Sequence, residues 1–458
     1  MVRATSDGGS ARRAIALVED QEIAGDVRMK QIPLIVLVSA FSIFLVGVRD
    51  VNLGPVSPKG ALTIIVAFLT VLFLPVYAST AAQQARSYGP EGTRTNRLPA
   101  LAWTFLFCLL ASTIFTMTRD GIHPDVVQQV CVYVSFIGAV AFASTVQSAD
   151  LATRSWEFLR SAAVVFGYLS LAASLLDIGP FGLSEPGPAR ATVIVGLVAL
   201  ALVIPGKPQN IWIKLAPIAL VATAALSLSR TATVIGLAML LFLFLRNAAS
   251  NDGKVGGRLW RIAPPIVIVG VAAYVLTNYY TAFGNRFVGG DKGFAFGDTT
   301  ISTQGRTAMW QLVFDRANGT LLGNGPGSAS RLINEHFPGL GHPHNEYLRL
   351  YYDFGLIGAT LFFGAYALLT WQVLRSARKS NNPLHWSAVM GLGAIALVAV
   401  TDNPFVYFNV MLPLGSLVGL SLAVASYEDR SRRAPHTTAA ISRSKSSPSR
   451  SGPTSTAV

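Results

Sequence analysis

The sequence predicts an all-α polytopic membrane protein of about twelve transmembrane helices, with both termini on the cytoplasmic side and one large external loop. Three observations carry that prediction. Apolar runs near the length of a bilayer span recur along the chain, charged residues are scarce, and basic residues crowd into alternate loops. Of the 458 residues 52% are hydrophobic and 13% charged, roughly half the charged share of a typical soluble domain. A hydrocarbon core about 30 Å thick needs roughly 20 apolar residues in a helix, which is the size of these runs.

In order, the apolar runs are 32–48, 60–79, 99–117, 126–147, 157–178, 191–205, 211–228, 231–247, 262–281, 354–374, 384–401 and 405–426. They divide the chain into a cytoplasmic N-terminal tail (1–30), nine helices (31–281), an external loop (282–346), three helices (347–427) and a disordered cytoplasmic tail (428–458). The last is rich in Ser, Thr, Pro, Ala and Arg, a composition that cannot bury a core. Most of the 36 Lys and Arg fall in the segments this scheme makes cytoplasmic, among them Arg94, Arg154, Lys207, Arg258, Arg375 and Arg430, as the positive-inside bias requires. The formal net charge of +13 then lies where anionic inner-leaflet lipids meet it and calls for no nucleic acid. Cys108 and Cys131 sit inside apolar runs, so neither a disulfide framework nor a thiolate metal site is indicated. No cleavable signal peptide is read ahead of the first run.

The loop breaks the rhythm of spans and short turns, and a loop of that length is functional or a linker. It carries Gly-Gly-Asp-Lys-Gly and Gly-Asn-Gly-Pro-Gly, and at 307–316 an apolar stripe of Met309, Trp310, Val313 and Phe314 at helical spacing. A partly helical domain lying on the membrane fits that content.

Polar chemistry concentrates at 341–358, where the loop enters the next helix. His342 and His344 flank Pro343, which stops a helix from running through the pair. The H-x-H spacing lacks the further ligands of a metal site, and H-E-x-x-H is absent, so no metal is expected. His344 directly precedes a helix entering lipid, where polar groups are expensive unless used. A helix from Asn345 sets Tyr347, Leu348 and Tyr351 on the face below His344, a wall of phenols for a pocket. Glu346, Arg349 and Asp353 fall on the next face, as an ion-paired strip worth a few tenths of a kcal/mol per pair.

Two arginines complete the pattern. Arg230 stands in Ser227-Leu228-Ser229-Arg230-Thr231, the only break between two apolar runs, on the side positive-inside statistics disfavour, so an anionic partner is expected. Arg306 precedes the amphipathic piece of the loop, where its guanidinium and a helix N-terminus face the same anion. Arg286 and Arg331 are weaker candidates for the same anion, the plainer reading of each being a solvated loop arginine. Asp402-Asn403-Pro404 reads first as turn chemistry, with Asp402 also able to pair with Arg230 or Arg306 or to touch an acceptor.

These residues resemble the signature of the O-antigen ligase and polymerase superfamily. The resemblance rests on His344-Asn345 followed by Gly355, the Ser-Leu-Ser-Arg hairpin, Gly305-Arg306-Thr307 with Trp310, and Leu322-Gly323-Asn324-Gly325-Pro326-Gly327, and it spans 225–360. It implies a GT-C-like, metal-independent, inverting glycosyltransferase of the bacterial cytoplasmic (inner) membrane that uses no cofactor. Its donor is a glycan on undecaprenyl diphosphate, and its acceptor a sugar hydroxyl of lipid A-core (ligase) or of another O-antigen or exopolysaccharide repeat unit (polymerase). By the same resemblance His344 is catalytic, Arg230 and Arg306 hold the donor diphosphate, and His342, Asn345, Glu346, Tyr347, Tyr351, Gly355 and Asp402 support them. The alternative is a flippase for lipid-linked oligosaccharide, or another secondary transporter. Such a carrier needs ionisable or broken-helix sites near the midplane, whereas these spans keep their polar residues at one end.

Overall fold

The computed structural model describes residues 32–46, 58–92, 99–176, 186–206, 210–250, 270, 294–296, 299–301, 305–317 and 320–445. In chain order the helices are α1 (Leu34–Leu45), α2 (Pro58–Gly92), α3 (Ala100–Asp120), α4 (Pro124–Ser144), α5 (Ala149–Leu176), α6 (Pro186–Val203), α7 (Ile211–Leu226), α8 (Arg230–Ser250), α9 (Arg306–Arg316), α10 (Ser328–His336), α11 (Glu346–Ser380), α12 (Pro383–Val398) and α13 (Phe408–Lys445). A 3₁₀ turn, Pro404–Val406, separates α12 from α13, and β1 (Phe294–Phe296) pairs antiparallel with β2 (Thr299–Ile301). The span expected at 262–281 lies outside the described residues apart from 270; every other expected span is a helix. Among the described residues six helices are long and apolar enough to cross a bilayer, and five shorter apolar ones pack with them. The protein is thus an all-α polytopic membrane protein, its β-structure among the described residues confined to that small hairpin.

Helix ends follow local chemistry. Asn210 caps α7 by accepting the Ile213 N–H at 2.9 Å, and Asn382 caps α12 ahead of Pro383. A side-chain oxygen at the cap satisfies a backbone donor the helix cannot, and proline in the first turn loses nothing.

The centre of the bundle is α4 against α13. Gly415 and Gly419 face α4, and a Cβ on Gly415 would stand 2.7 Å from the Phe136 carbonyl oxygen. In lipid, where burial of apolar surface gives helices no reason to associate, small residues four apart let backbones approach and dispersion hold them. Polar side chains join other pairs: Ser39 and Ser416 bridge α1 and α13 at 2.7 Å.

The long α11 is broken at Gly355 (φ 66°, ψ −171°). The loop before α10 fills the break. Asn324 and Gly325 donate to the freed carbonyls of Tyr352 and Asp353 at 3.0 and 2.8 Å, while Leu356 and Ile357 donate to Thr320 and Leu321 at 3.2 and 3.1 Å. A broken helix at membrane depth is tolerated only when its backbone groups are satisfied in this way. A Cβ on Gly323 would strike the Gly355 nitrogen, and one on Gly355 the Leu321 carbonyl. Gly355→Ala therefore combines a left-handed backbone with a collision, an expected cost of about 2–6 kcal/mol. Thermal unfolding of the purified protein in detergent checks this; an unshifted midpoint would show that the break does not require glycine.

Two differences from the sequence reading follow from contacts. Helix α13 runs to Lys445, into the segment expected as a disordered tail from 428. Its first turns there are anchored: Tyr427 donates to Val146 O at 3.1 Å, Asn382 to Glu428 at 3.2 Å and Arg432 to Lys379 O at 3.2 Å. In the loop, α9 forms where expected, but only part of its stripe is covered. Met309 and Val313 join Leu332 and Ile333 of α10 in a small separate core, and Phe314 is 62% exposed.

Candidate active site

The His-Pro-His turn is fixed from four sides. Trp310 of α9 donates its Nε1–H to Pro343 O at 2.8 Å, and His342 Nδ1 shares a 2.8 Å hydrogen bond with Ser330 of α10. Asn345 caps α11 by accepting the Leu348 N–H at 3.1 Å, and the Glu346 N–H reaches the carbonyl of Ala399, just past the end of α12, at 2.8 Å. His344 itself takes a left-handed backbone, φ 54°, and donates its N–H to Asn403 Oδ1 at 2.8 Å. A non-glycine residue in that conformation persists where its surroundings over-determine it, a pattern that clusters at functional sites.

The His344 ring is buried between a carboxylate and a guanidinium. Arg190 Nη1 stands 2.7 Å from Nε2, and Asp402 Oδ1 stands 3.4 Å from Nδ1. The same Nη1 also lies 3.4 Å from Nδ1, so the guanidinium stands against the ring face, and Nδ1, facing a carboxylate that can only accept, carries the ring hydrogen, a tautomer assigned from the network. Burial works to raise the Asp402 carboxyl, yet His344, the Asn403 N–H and the Arg306 guanidinium outweigh it and hold it below the usual carboxylate range. A depressed carboxyl is ionised at neutral pH. Its contribution to stability is complete above the ordinary carboxylate range and is lost as pH falls through its lower folded value. Asp402→Asn is expected to slow turnover by about 10- to 100-fold, the value of a hydrogen bond to a charged group. Activity unchanged across the pH range would remove Asp402 from the site.

His342 plays a different part. Burial first, then Arg349 and His344, push its imidazole down to about 3, so it stays neutral and ties the turn to α10. Among the described residues no group of three or more His, Cys, Asp and Glu side chains gathers as a metal site would require.

Of the two expected arginines, Arg306 opens α9 after Gly305 and lies close enough to bias the Asp402 carboxyl. Arg230 opens α8 after Leu228, another left-handed residue at φ 56°. The next residue, Thr231, hydrogen-bonds Thr401 at 2.8 Å, directly before Asp402. Both arginines thus begin helices at the end of the bundle where His344 lies, and helix N-termini add to the positive field.

Glu346, Arg349 and Asp353 form the expected ion-paired strip, but it is buried: each is 0% exposed. Arg349 donates to Glu346, to Asp353 at 3.4 Å and to Tyr133 Oη of α4 at 2.6 Å. The i, i+3 and i, i+4 spacing is the same for a buried strip as for a wet one, and the packing of α4 decided it. Tyr347 does not line the histidine pocket; it stacks on Phe363 and donates to Ala396 O at 3.0 Å. Tyr351 is half-buried one turn on. Gly355 acts through the helix break and the loop seated in it, without touching the ring.

Sequence reasoning missed Arg190, Asn403 and Tyr407. Asn403 accepts from His344 and donates to Glu346 Oε2 at 2.7 Å, so it couples the turn to the buried network. Tyr407, directly before α13, lies close enough to Asp402 and Arg190 to feel both charges. Arg190 carried a usable signal: it is a basic residue directly before an apolar run, on the side that the expected topology makes external, which is the argument that singled out Arg230.

Residues 215–363 match the family model described as O-antigen ligase. The matched segment holds Arg230, Arg306, His344 and Gly355, while Arg190 and Asp402 join the site from outside it. No curated protein matches the chain. The motifs and the match agree, and residues 215–363 are similar to the O-antigen ligase family.

Proposed function

We propose that this protein moves a glycan from an undecaprenyl-diphosphate carrier to a sugar hydroxyl at the external face of a bacterial cytoplasmic membrane. The observation that supports this best is the His344 ring between Asp402 and Arg190, at the end of the bundle where Arg230 and Arg306 begin their helices. The acceptor hydroxyl oxygen attacks the anomeric carbon, its proton passes to His344 Nε2, and the bond from that carbon to the diphosphate oxygen breaks with its electron pair leaving on the diphosphate. Attack opposite the leaving group inverts the anomeric centre. Charge grows on the diphosphate as the bond breaks, and guanidinium groups already in place stabilise it more in the transition state than before. A histidine is suited to the proton because its ordinary range lies near neutrality. The prenyl chain stays in lipid, which accounts for a catalyst built from apolar helices.

The test supplies undecaprenyl-diphosphate-linked repeat units to membranes holding the protein, with and without candidate acceptors. Stepwise growth of the product identifies a polymerase, and transfer of one glycan whole identifies a ligase. Movement of the carrier across the membrane with no new glycosidic bond would instead support a transporter. Chelator is expected to leave transfer unchanged; loss restored by a divalent ion would overturn the metal-independent chemistry.

A further inference from the structure

One piece of the loop does not stay outside the bundle. Residues 320–327 reach down between α3, α4 and the break in α11: a Cβ on Gly325 would meet Thr116 of α3, one on Gly327 would meet Asp125 of α4, and one on Gly323 the Gly355 nitrogen. Thr116 and Gly355 both belong to helices long and apolar enough to cross a bilayer. The helix from Gly355 to the basic residue Arg375 is about 30 Å long, the thickness of a hydrocarbon core, which puts the break at the edge of that core. Backbone that touches lipid needs its polar groups paired. Here the carbonyls of Thr320 and Leu321 accept from Leu356 and Ile357, and the N–H groups of Asn324 and Gly325 donate into the break. The Gly327 N–H is shared by Gln129 and Asp353 at 3.0 and 3.3 Å, and the Asn324 carbonyl accepts from Arg119 at 3.1 Å.

The side chains of the same segment turn the other way. Leu321 is 60% and Leu322 75% exposed, and Leu356 and Ile357 of α11 and Ile114 and Phe115 of α3 are exposed as well. Two adjacent leucines in water would be an anomaly, whereas here they continue the apolar sides of two spans. Arg119 marks the top of the patch: its guanidinium lies 5.7 Å from the Phe115 ring and pairs with Asp120 at 2.6 Å. A long basic side chain at a helix end lays its stem on apolar surface and keeps its charge at head-group level. We infer that residues 320–327 form a wedge that re-enters the membrane, with Leu321 and Leu322 set among the acyl chains of the leaflet at the His344 end. The occupant of the patch is the bilayer, because the patch is continuous with the sides that α3 and α11 turn to lipid. The loop expected as wholly external is thereby divided in two by a membrane contact. The wedge leads directly into α10, whose Ser330 holds His342 at 2.8 Å, so it also sets how far the His-Pro-His turn stands from the hydrocarbon.

The test places a reporter at position 322 of the full-length protein in phosphatidylcholine vesicles. Leu322→Cys, labelled with a fluorescent dye in a Cys108→Ala, Cys131→Ala background, is expected to be quenched most by a nitroxide high on the acyl chain, less by one at the chain end and least by iodide in the water. Glu335→Cys, on the exposed side of α10, is expected to show the reverse order. Before labelling, the thiol at 322 should react with a water-soluble maleimide about tenfold or more slowly than the thiol at 335, because the reactive thiolate is disfavoured in apolar surroundings. Leu322→Trp, read as the quenching by brominated lipid in excess of the parent's own tryptophans, repeats the measurement with both cysteines in place and covers a cysteine-free background that fails to fold. Strong iodide quenching with fast maleimide reaction at 322 overturns the wedge. Dyes at 322 that quench one another and ignore the nitroxides overturn it too, since a second copy of the chain would then cover the patch.

Discussion

Replacing His344 with alanine is expected to lower glycan transfer by about 10²–10⁴-fold, the usual value of a positioned general base, while binding of the diphosphate donor changes little. The fall belongs to chemistry, because the arginines that would hold the donor, Arg230 and Arg306, begin α8 and α9. Position 344 has a left-handed backbone, so the better control is His344→Asn, since asparagine enters that region more readily than alanine. Both variants should lose turnover alike, and His344→Asn should keep the thermal midpoint of the parent. Donor affinity, read by displacement of a labelled carrier, separates this outcome from damage to the site as a whole. Full transfer by either variant would sink the general-base role.

Much of the fold could be read in advance, because a helix in lipid must be apolar along its length and basic residues sort to one side. What escaped was pairing between distant segments. The glycine run at 323–327 and Gly355 were each visible as motifs, yet nothing local says that the first fills a break made by the second. The same holds for Arg349: its spacing from Glu346 and Asp353 shows that three charges can meet, but the burial of that face depends on Tyr133, which lies on another helix. A sharper use of the medium would have helped. Charges at the start of an apolar helix are costly in lipid, and that cost pointed inward for Arg349 as it did for Arg230. Asn403 was read as turn chemistry because asparagine before proline usually is, and only the turn's position under His344 gives it a second task.

Arg349→Ala is expected to destabilise the protein by about 3–5 kcal/mol, the cost of stripping one partner from a buried ion network. The single guanidinium satisfies three groups, and its loss strands two carboxylates in a site with no solvent. Asp353 retains the N–H groups of Gly327 and Ala329, at 3.3 and 2.8 Å, and Glu346 retains Asn403. Those bonds soften the loss without supplying a positive charge. Arg349→Met combined with Glu346→Gln and Asp353→Asn removes every formal charge and should recover much of the stability, since uncharged packing can replace a buried ion network at little cost. Recovery of turnover should lag behind. Glu346 holds the amide of Asn403, and Asn403 holds the backbone of His344, so a network rebuilt for packing alone no longer dictates where the imidazole stands. Thermal unfolding and transfer rates, measured on the same preparations, separate the two effects. A single Arg349→Ala variant within about 0.5 kcal/mol of the parent, the range of an ordinary surface substitution, would show that the charges are hydrated and the network is not buried. A triple variant that regained turnover in step with stability would show that Asn403 keeps its hold on His344 without Glu346.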